Sequence, residues 1–395
     1  MARVSRRPRM TSMTSMTSVA IAANPIKETV DDAIASSTPL RTSGRSHWID
    51  AGRPVNATRI ASLTAHSGIV DYVPGDLTIT VRSGTTLKEI EEVTRAEGQW
   101  LPLDPFGSRD GTIGATIATG SFGPLATGFG RARDLVLGIE FVTGEGKIVR
   151  GGGRVVKNVA GFDLVRLVTG SWGTLGIITE ATLRLYSAPA TTITLALGVS
   201  DNATALQQRI NNVLEAPGIP FSVELVDSRL SAKLGIAEKQ QLLIRLGGNA
   251  AAVNAQRSAM ESLGGARIID ARVWDTLRTF EDEIGDNPPI VIRVSGVPQR
   301  VGQIWCDLQK AIEAQGYMHA TPSLGIVRCV LPASAPREVI SRVASISATV
   351  IFERLPREMW SEFSPTVTGD RISQRVKHAF DPLDILNPGI LGPKL

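Results

Sequence analysis

Cysteine is nearly missing: Cys306 and Cys329 are the only two in 395 residues, and neither belongs to a C-x-x-C pair. That excludes a self-contained iron–sulfur centre or a Cys-rich zinc site, and it fits a reducing compartment where free thiols stay buried. Histidine is sparse too. His47, His66, His319 and His378 are scattered, with no H-E-x-x-H and no close pair, so no resident metal is expected. No apolar run approaches the roughly 18 to 20 residues of a membrane helix. An excess of one charge sign is also lacking. The 42 Lys+Arg face 38 Asp+Glu, and the pI near 9.2 traces to Arg3, Arg6, Arg7 and Arg9 in a leader with no acid before Glu28. Without those four the remainder balances at 38 against 38, so nothing argues for nucleic acid as a partner.

The length points to two domains. Residues 1–23, Arg-rich with a TSM repeat, read as a disordered leader; a transit peptide is the alternative, and residues 19–23 are short for a secretory core. Asn24 before Pro25 reads as a helix cap, with Ile26, Val30, Ala33 and Ile34 on one face of a helix ending near Ser36. Residues 40–52 read as a small, polar loop. Residues 77–82 alternate as a half-buried strand, and the Thr86/Glu89 capping box opens a helix that Gly98 ends.

Glycine then becomes dense. Of 38 in the chain, 17 fall between Gly107 and Gly176, where average usage of about 7% would place about five. Within that window residues 135–143 and 147–150 read as a hairpin, and residues 163–169 as a short helix. Beyond residue 189 strand patterns alternate with helical ones and the glycine-rich texture stops. That suggests a second, α+β domain with an antiparallel sheet.

Three segments stand out: residues 40–47, 110–120 (DGTIGATIATG) and 170–178. Bare main chain lets N–H groups approach a ligand, and a concave run of them suits a pyrophosphate, although tight turns explain any one segment alone. The glycine spacing G-x-x-G-x-x-G at Gly170, Gly173 and Gly176 leaves a helix and enters a strand, the reverse of a Rossmann fingerprint, and no G-K-[ST] makes a P-loop.

The run from Gly152 to Glu180 (GGRVVKNVAGFDLVRLVTGSWGTLGIITE) resembles the K-N-x-A-G-[YF]-D-L…G-S-x-G-x-L-G-[IV]-[IL]-T-E signature of FAD-binding oxidoreductases of the vanillyl-alcohol oxidase (PCMH-type) superfamily. D-P-F-G, R-A-R-D-L-V-L-G and the tail D-P-L-D-I-L-N-P-G support the resemblance. Within that superfamily the chain is similar to FAD-binding subunits of bacterial glycolate oxidases. The resemblance implies an α+β fold. A PCMH-type FAD-binding domain of two α+β subdomains would span residues 24–188, and an α+β cap with an antiparallel sheet residues 189–370. Residues 371–395 would return to the first domain.

The resemblance also implies which residues would cradle FAD. Arg41, Thr42, Ser43, Gly44, Arg45, Ser46 and His47 fall on the pyrophosphate loop. Asp110 and Thr112, Ile113, Gly114, Ala115, Thr116 and Ile117 fall on a second cradle, and Gly176, Ile177 and Ile178 on the strand start facing the cofactor. Oxidation of a 2-hydroxy acid needs a base, a cation for the carboxylate and a route to the flavin. His319, in HATPSLGIVR, is the base candidate, since the stretch resembles a degraded H-x-G-x-G-I segment of related D-2-hydroxy-acid dehydrogenases; a packed histidine is the alternative. His47 as a site of covalent flavin competes with an ordinary loop histidine. Lys157 and Arg166 are open between carboxylate binding and solvated roles.

What the resemblance implies for function is a cytoplasmic subunit, with the inner membrane face as a peripheral docking surface, in a glycolate oxidase complex. It would work beside a homologous catalytic flavoprotein and an iron–sulfur subunit on a small 2-hydroxy acid. A non-catalytic scaffold of that complex and a stand-alone D-2-hydroxy acid dehydrogenase are the alternatives.

Overall fold

The computed structural model describes residues 24–153, 163–285, 287–363 and 370–392; Lys157 and the centre of the signature run lie outside them. Helix α1 (Pro25–Ala35) starts where the sequence predicts, with Asn24 Oδ1 accepting from the Ile26 and Lys27 amides at 3.0 and 3.3 Å. It buries Ile26, Val30 and Ala33. Residues 40–43 are not loop. They form strand β1 (Leu40–Ser43), which pairs in parallel with β2 (Arg59–Ser62), and Leu40 is fully buried. One core residue in a four-residue strand leaves too little periodicity to read.

The strands β3 (Ile69–Val73), β4 (Thr78–Arg82), β5 (Gln99–Trp100), β6 (Val136–Val142), β7 (Ile148–Gly152), β8 (Ile177–Arg184) and β9 (Tyr186–Ser187) follow. An antiparallel five-stranded sheet runs β3-β4-β8-β6-β7, and β5 pairs with β9 beside it. Helix α2 (Leu87–Arg95) opens on the expected capping box, Thr86 with Glu89. Helix α3 (Ile113–Thr119) was not foreseen. Thr112 caps it, Ile113 and Ile117 drop into the core of the five-stranded sheet, and Gly120 ends it at φ +65°. Gly114 packs so closely on Ser83 that a Cβ there would lie 2.8 Å from the Ser83 carbonyl oxygen, so the glycines had disguised a helix as a loop.

The second region forms one eight-stranded antiparallel sheet from β10 (Thr191–Gly198), β11 (Ser222–Val226), β12 (Gln241–Gly248), β13 (Ala266–Ile269), β14 (Ile290–Ser295), β15 (Tyr317–Thr321), β16 (Ile326–Leu331) and β17 (Thr349–Arg354). Its order is β13-β10-β12-β11-β15-β16-β14-β17. Helices Ala203–Leu214, Val301–Ile312 and Arg337–Ala344 cover one face around the fully buried Trp305. The other face turns toward the first region, and Phe106 crosses into its apolar cluster beside Phe280, Val291 and Val330.

After helix Arg371–Phe380 the chain lies back on β1. The Leu40 amide donates to Ile385 O at 2.7 Å, and the Asn387 amide to Leu40 O at 2.9 Å. Asp381, 2% exposed, fixes this return by accepting from the amides of Ile385 and Leu386 at 3.1 and 2.9 Å. Among the described residues no helix is long and apolar enough to cross a membrane.

Candidate functional site

Between the two sheets lies an open cleft. Its floor is the loop that follows β1. Ser43 and Ser46 share a hydroxyl hydrogen bond of 2.8 Å, Ser46 sits at φ +63°, and Thr64 Oγ1 donates to Gly44 O at 3.1 Å. The Arg41 guanidinium donates to Ile49 O at 2.9 Å, which curls the loop, and burial lowers its pKa. From the second sheet Arg354 grips the same loop through a 2.9 Å ion pair with Asp50. Thus fixed, the loop leaves the main-chain N–H groups of Gly44, Arg45, Ser46 and His47 without an acceptor among the described residues. A run of successive donors on one turn is the kind of backbone that suits an anion.

The opposite wall is the turn 170–173 and the start of β8. Gly170, Trp172 and Gly173 have φ of +79°, +55° and +69°. A left-handed tryptophan is costly unless its surroundings fix it. Here Trp172 N–H donates to Ala118 O at 2.7 Å, and Asn387 Nδ2 donates to Trp172 O at 2.8 Å. The Asn387 Oδ1 in turn accepts from the Thr42 amide at 2.8 Å, so one amide side chain joins both walls. Gly173 has to be glycine, because a Cβ would lie 2.6 Å from Asn387 Nδ2. Gly176 is equally confined, 2.3 Å from Phe141 Cδ2 by the same measure.

Of the residues expected from sequence, Arg41 to His47 all line the cleft, as do Thr112, Gly114, Ala115, Thr116, Gly176 and Ile178. Asp110 stands exposed outside it, and Gly111 takes its place. Ile113, Ile117 and Ile177 are fully buried with their side chains in apolar cores. The second cradle is therefore not a run of open amides. The Ile113 amide donates to Thr85 O at 2.9 Å, that of Gly114 to Ser83 O at 2.8 Å, and that of Ala115 to Thr112 Oγ1 at 3.3 Å. Its contribution is shape: Gly44 approaches so closely that a Cβ would lie 2.4 Å from Thr112 Oγ1.

His319 does not reach the cleft. It sits on β15 in the middle of the large sheet, 1% exposed, with its ring 4.5 Å from Phe106 and 5.8 Å from Phe280. Its Nδ1 is 2.7 Å from Glu224 Oε1. Burial, helped by the Arg328 charge, drives the imidazole pKa well below its ordinary value, while burial pushes Glu224 up to about 8. Both shifts favour the uncharged forms, so the contact has the character of a hydrogen bond inside the core more than of an ion pair. The base role expected of His319 is corrected accordingly. Arg166 is also remote, an exposed partner of Asp163 at 3.1 Å.

Sequence reasoning missed Trp48, Phe106, Trp172 and Asn387, all of which line the cleft. Trp172 between two glycines was the available signal. Trp48 is flanked by two guanidinium groups, Arg354 at 5.0 Å and Arg328 at 5.7 Å from the ring centre, which rigidifies the aromatic wall.

Comparison with known proteins identifies the fold and the family. Residues 22–152 match the FAD binding domain family. The chain is 35% identical over 271 residues to glycolate oxidase subunit GlcE of Escherichia coli K12, covering 68% of this chain and 71% of that protein. It is 29% identical over 369 residues to glycolate oxidase subunit GlcD of Bacillus subtilis 168, covering 81% and 76%. Among solved structures, 4-ethylphenol oxidase from Gulosibacter chungangensis superposes with a TM-score of 0.70 at 15% identity, over 93% of this chain and 88% of that one. p-Cresol methylhydroxylase gives the same TM-score and identity over 93% and 87%. The likeness to these two shows the fold. With the GlcE match, it follows that this chain belongs to the glycolate oxidase GlcE family of PCMH-type, FAD-binding oxidoreductases.

Proposed function

We propose that the cleft binds FAD and that the protein serves a glycolate oxidase complex oxidising glycolate or a similar 2-hydroxy acid to the 2-oxo acid. Residues 24–188 and 371–395 would hold the cofactor, and residues 189–370 would cover its reactive end. The observation that carries this reading is the set of four unengaged amides at Gly44 to His47, which match a pyrophosphate as donors to oxygen. Trp48, Phe106 and Trp172, at the end of the cleft beneath the large sheet, offer flat apolar surface for a ring system. FAD so bound supplies the acceptor for two electrons from the substrate C–H bond. The protein's own part is to hold the cofactor, exclude water and orient the acid.

Work inside a complex is favoured by the proton acceptors on hand. Glu353 is the one carboxylate lining the cleft and its adjoining hollow among the described residues, and it already receives Arg293 at 2.9 Å and Arg328 at 3.0 Å. A homologous flavoprotein subunit would complete the chemistry. The buried free thiols Cys306 and Cys329 are not spaced for a cluster, so an iron–sulfur subunit would carry electrons onward. They agree with a reducing cytoplasmic setting, and peripheral contact with the inner membrane face belongs to the same reading.

The test is reconstitution: the purified full chain, incubated with FAD and desalted, should retain about one equivalent with a structured flavin absorption band. A colourless protein after saturating FAD would defeat the reading. Anaerobic bleaching by glycolate without any partner would show that the chain completes the reaction alone.

A further inference from the structure

Among the described residues two ion pairs join the two regions, Arg354 with Asp50 at 2.9 Å and Arg109 with Asp275 at 3.1 Å. Arg109 belongs to the segment 104–111, DPFGSRDG, which is rooted at both ends in the first region. The Asp104 carboxylate accepts from the Leu125 amide at 3.1 and 3.3 Å. At the other root the first amides of α2, those of Leu87 and Lys88, donate to Gly111 O and Arg109 O at 3.0 and 3.1 Å. A helix start leaves such amides without an internal acceptor, so the segment satisfies the helix while the helix fixes the segment.

Between its roots the segment crosses to the second region. Phe106 enters the apolar cluster of Phe280, Val291 and Val330, and the Gly107 amide donates to Arg278 O at 2.7 Å. Gly107 also meets Trp48, just beyond the loop that floors the cleft. At its φ of +103°, a Cβ would stand 3.1 Å from Trp48 Nε1. Phe106, Gly107, Ser108 and Gly111 line the cleft. The segment therefore spans one end of the cleft, and whatever holds its middle also fixes that wall.

Two of those holds, Phe106 and the Gly107 amide, are interior; the third is at the surface. Arg109 places Nη1 on Glu91 of α2 and Nη2 on Asp275 of the helix Val273–Thr279. One guanidinium thus touches both regions at once, a geometry its planar fork allows and a lysine ammonium does not. Asp275 also stands 3.7 Å from Arg278, whose carbonyl receives the Gly107 amide, so charge contact and hydrogen bond engage the same turn of helix. The side chains of Arg109, Glu91 and Asp275 are 44%, 32% and 62% exposed. Pairs this exposed are screened by salt and add little to global stability, but they can set the ease of a local opening.

We propose that residues 104–111 are a strap over one end of the cleft. Arg109 is the positioning residue that holds the strap against the second region, so that FAD enters and leaves at a rate set by this clasp. The occupant rests on the FAD reading; the strap and its clasp do not.

Two measurements on the full chain test this. FAD release, followed by filtration at timed intervals after dilution, should accelerate as salt rises from about 50 to 500 mM. Arg109→Gln should speed release about three- to tenfold at low salt, an effect within reach of two surface ion pairs, and remove most of the salt dependence. Asp275→Asn should act in the same direction, and Arg109→Lys should keep only part of the clasp. The second measurement is hydrogen exchange without FAD: residues 104–111 should exchange faster in Arg109→Gln, with β12 unchanged. A purely structural role for Arg109 would lower Tm and leave the salt dependence of release in place. An unchanged release rate in Arg109→Gln, a retained salt dependence, or equal exchange at residues 104–111 overturns the proposal. A chain that takes up no flavin defeats the FAD reading, and exchange at residues 104–111 then decides the strap by itself.

Discussion

Replacing Gly44 by alanine tests how the floor of the cleft is held. The new Cβ would lie 2.4 Å from Thr112 Oγ1 and 3.3 Å from Thr112 Cβ. Oxygen and carbon need about 1 Å more than the first distance, so one side must yield. Thr112 is 1% exposed and its hydroxyl caps α3 through the Ala115 amide. Rotating it away forfeits a cap worth about 1 kcal/mol. If the loop retreats instead, the amides of Gly44 to His47 move with it, and a displacement of about 1 Å degrades several hydrogen bonds to one anion together. The expected result for Gly44→Ala is a stability loss of about 1 to 2 kcal/mol and FAD binding weaker by about tenfold or more, tenfold being 1.4 kcal/mol. Urea unfolding and flavin fluorescence titration measure the two. A double-mutant cycle sharpens the reasoning. Thr112→Ala alone loses the cap, but in the double variant the colliding oxygen is gone and the closest remaining contact, 3.3 Å to Cβ, needs a shift of only a few tenths of an ångström. The double variant should therefore bind FAD better than Gly44→Ala alone. Strictly additive losses, or wild-type FAD affinity in Gly44→Ala, would refute the steric account.

Other substitutions probe the supports. Glu224, fully buried with a pKa of about 8 against 4.5 unfolded, keeps a proton on folding, so its contribution is whole below pH 4.5 and is lost as pH rises through 8. The gap caps that loss at about 5 kcal/mol. Glu224→Gln should flatten stability between pH 5 and 8, leaving the same-signed slopes of Asp104 (about 7) and Asp227 (about 6) and the opposite effect of His319 below its ordinary pKa. An unchanged pH profile in chemical denaturation would contradict the protonated Glu224. Asn387→Ala removes two 2.8 Å hydrogen bonds and should cost about 2 to 4 kcal/mol, read by thermal melting, whereas Asn387→Asp keeps the Thr42 bond and should cost less. Trp172→Gly suits the φ of +55° and so should strain the backbone less, yet it strips apolar wall from the cleft; FAD affinity should fall more than Tm, and a parallel fall in both would show the side chain to be structural only.

Local chemistry made much of the fold readable. Asn24 with Pro25 and Thr86 with Glu89 are caps written within four residues, and both helices begin where those signals stand. Most strands of the large sheet were visible because they carry continuous apolar runs, as in Leu242, Leu243 and Ile244. β15 escaped because Gly316 and Pro322 crop it to five residues with a histidine at its centre. Helix α3 escaped because Gly114 and two threonines diluted the Ile113/Ile117 spacing, although Thr112 ahead of it and Gly120 behind it were proper end signals. The loop at residues 44–47 could be recognised as bare main chain suited to a ligand, but the strand just before it could not. Nor could the tie from Asn387 or the clasp of Arg109 on Asp275, since both depend on separations that no short motif encodes.

Asn387 fastens Thr42 and Trp172, which precede it by 345 and 215 positions. Chains emerge from the ribosome N-terminal part first, so both sheets can form before this clasp does. A nascent chain would then present a trough with unjoined sides. Closure of the trough thus waits on the segment that carries Asn387, and a dinucleotide is gripped from both sides only after that segment has joined them.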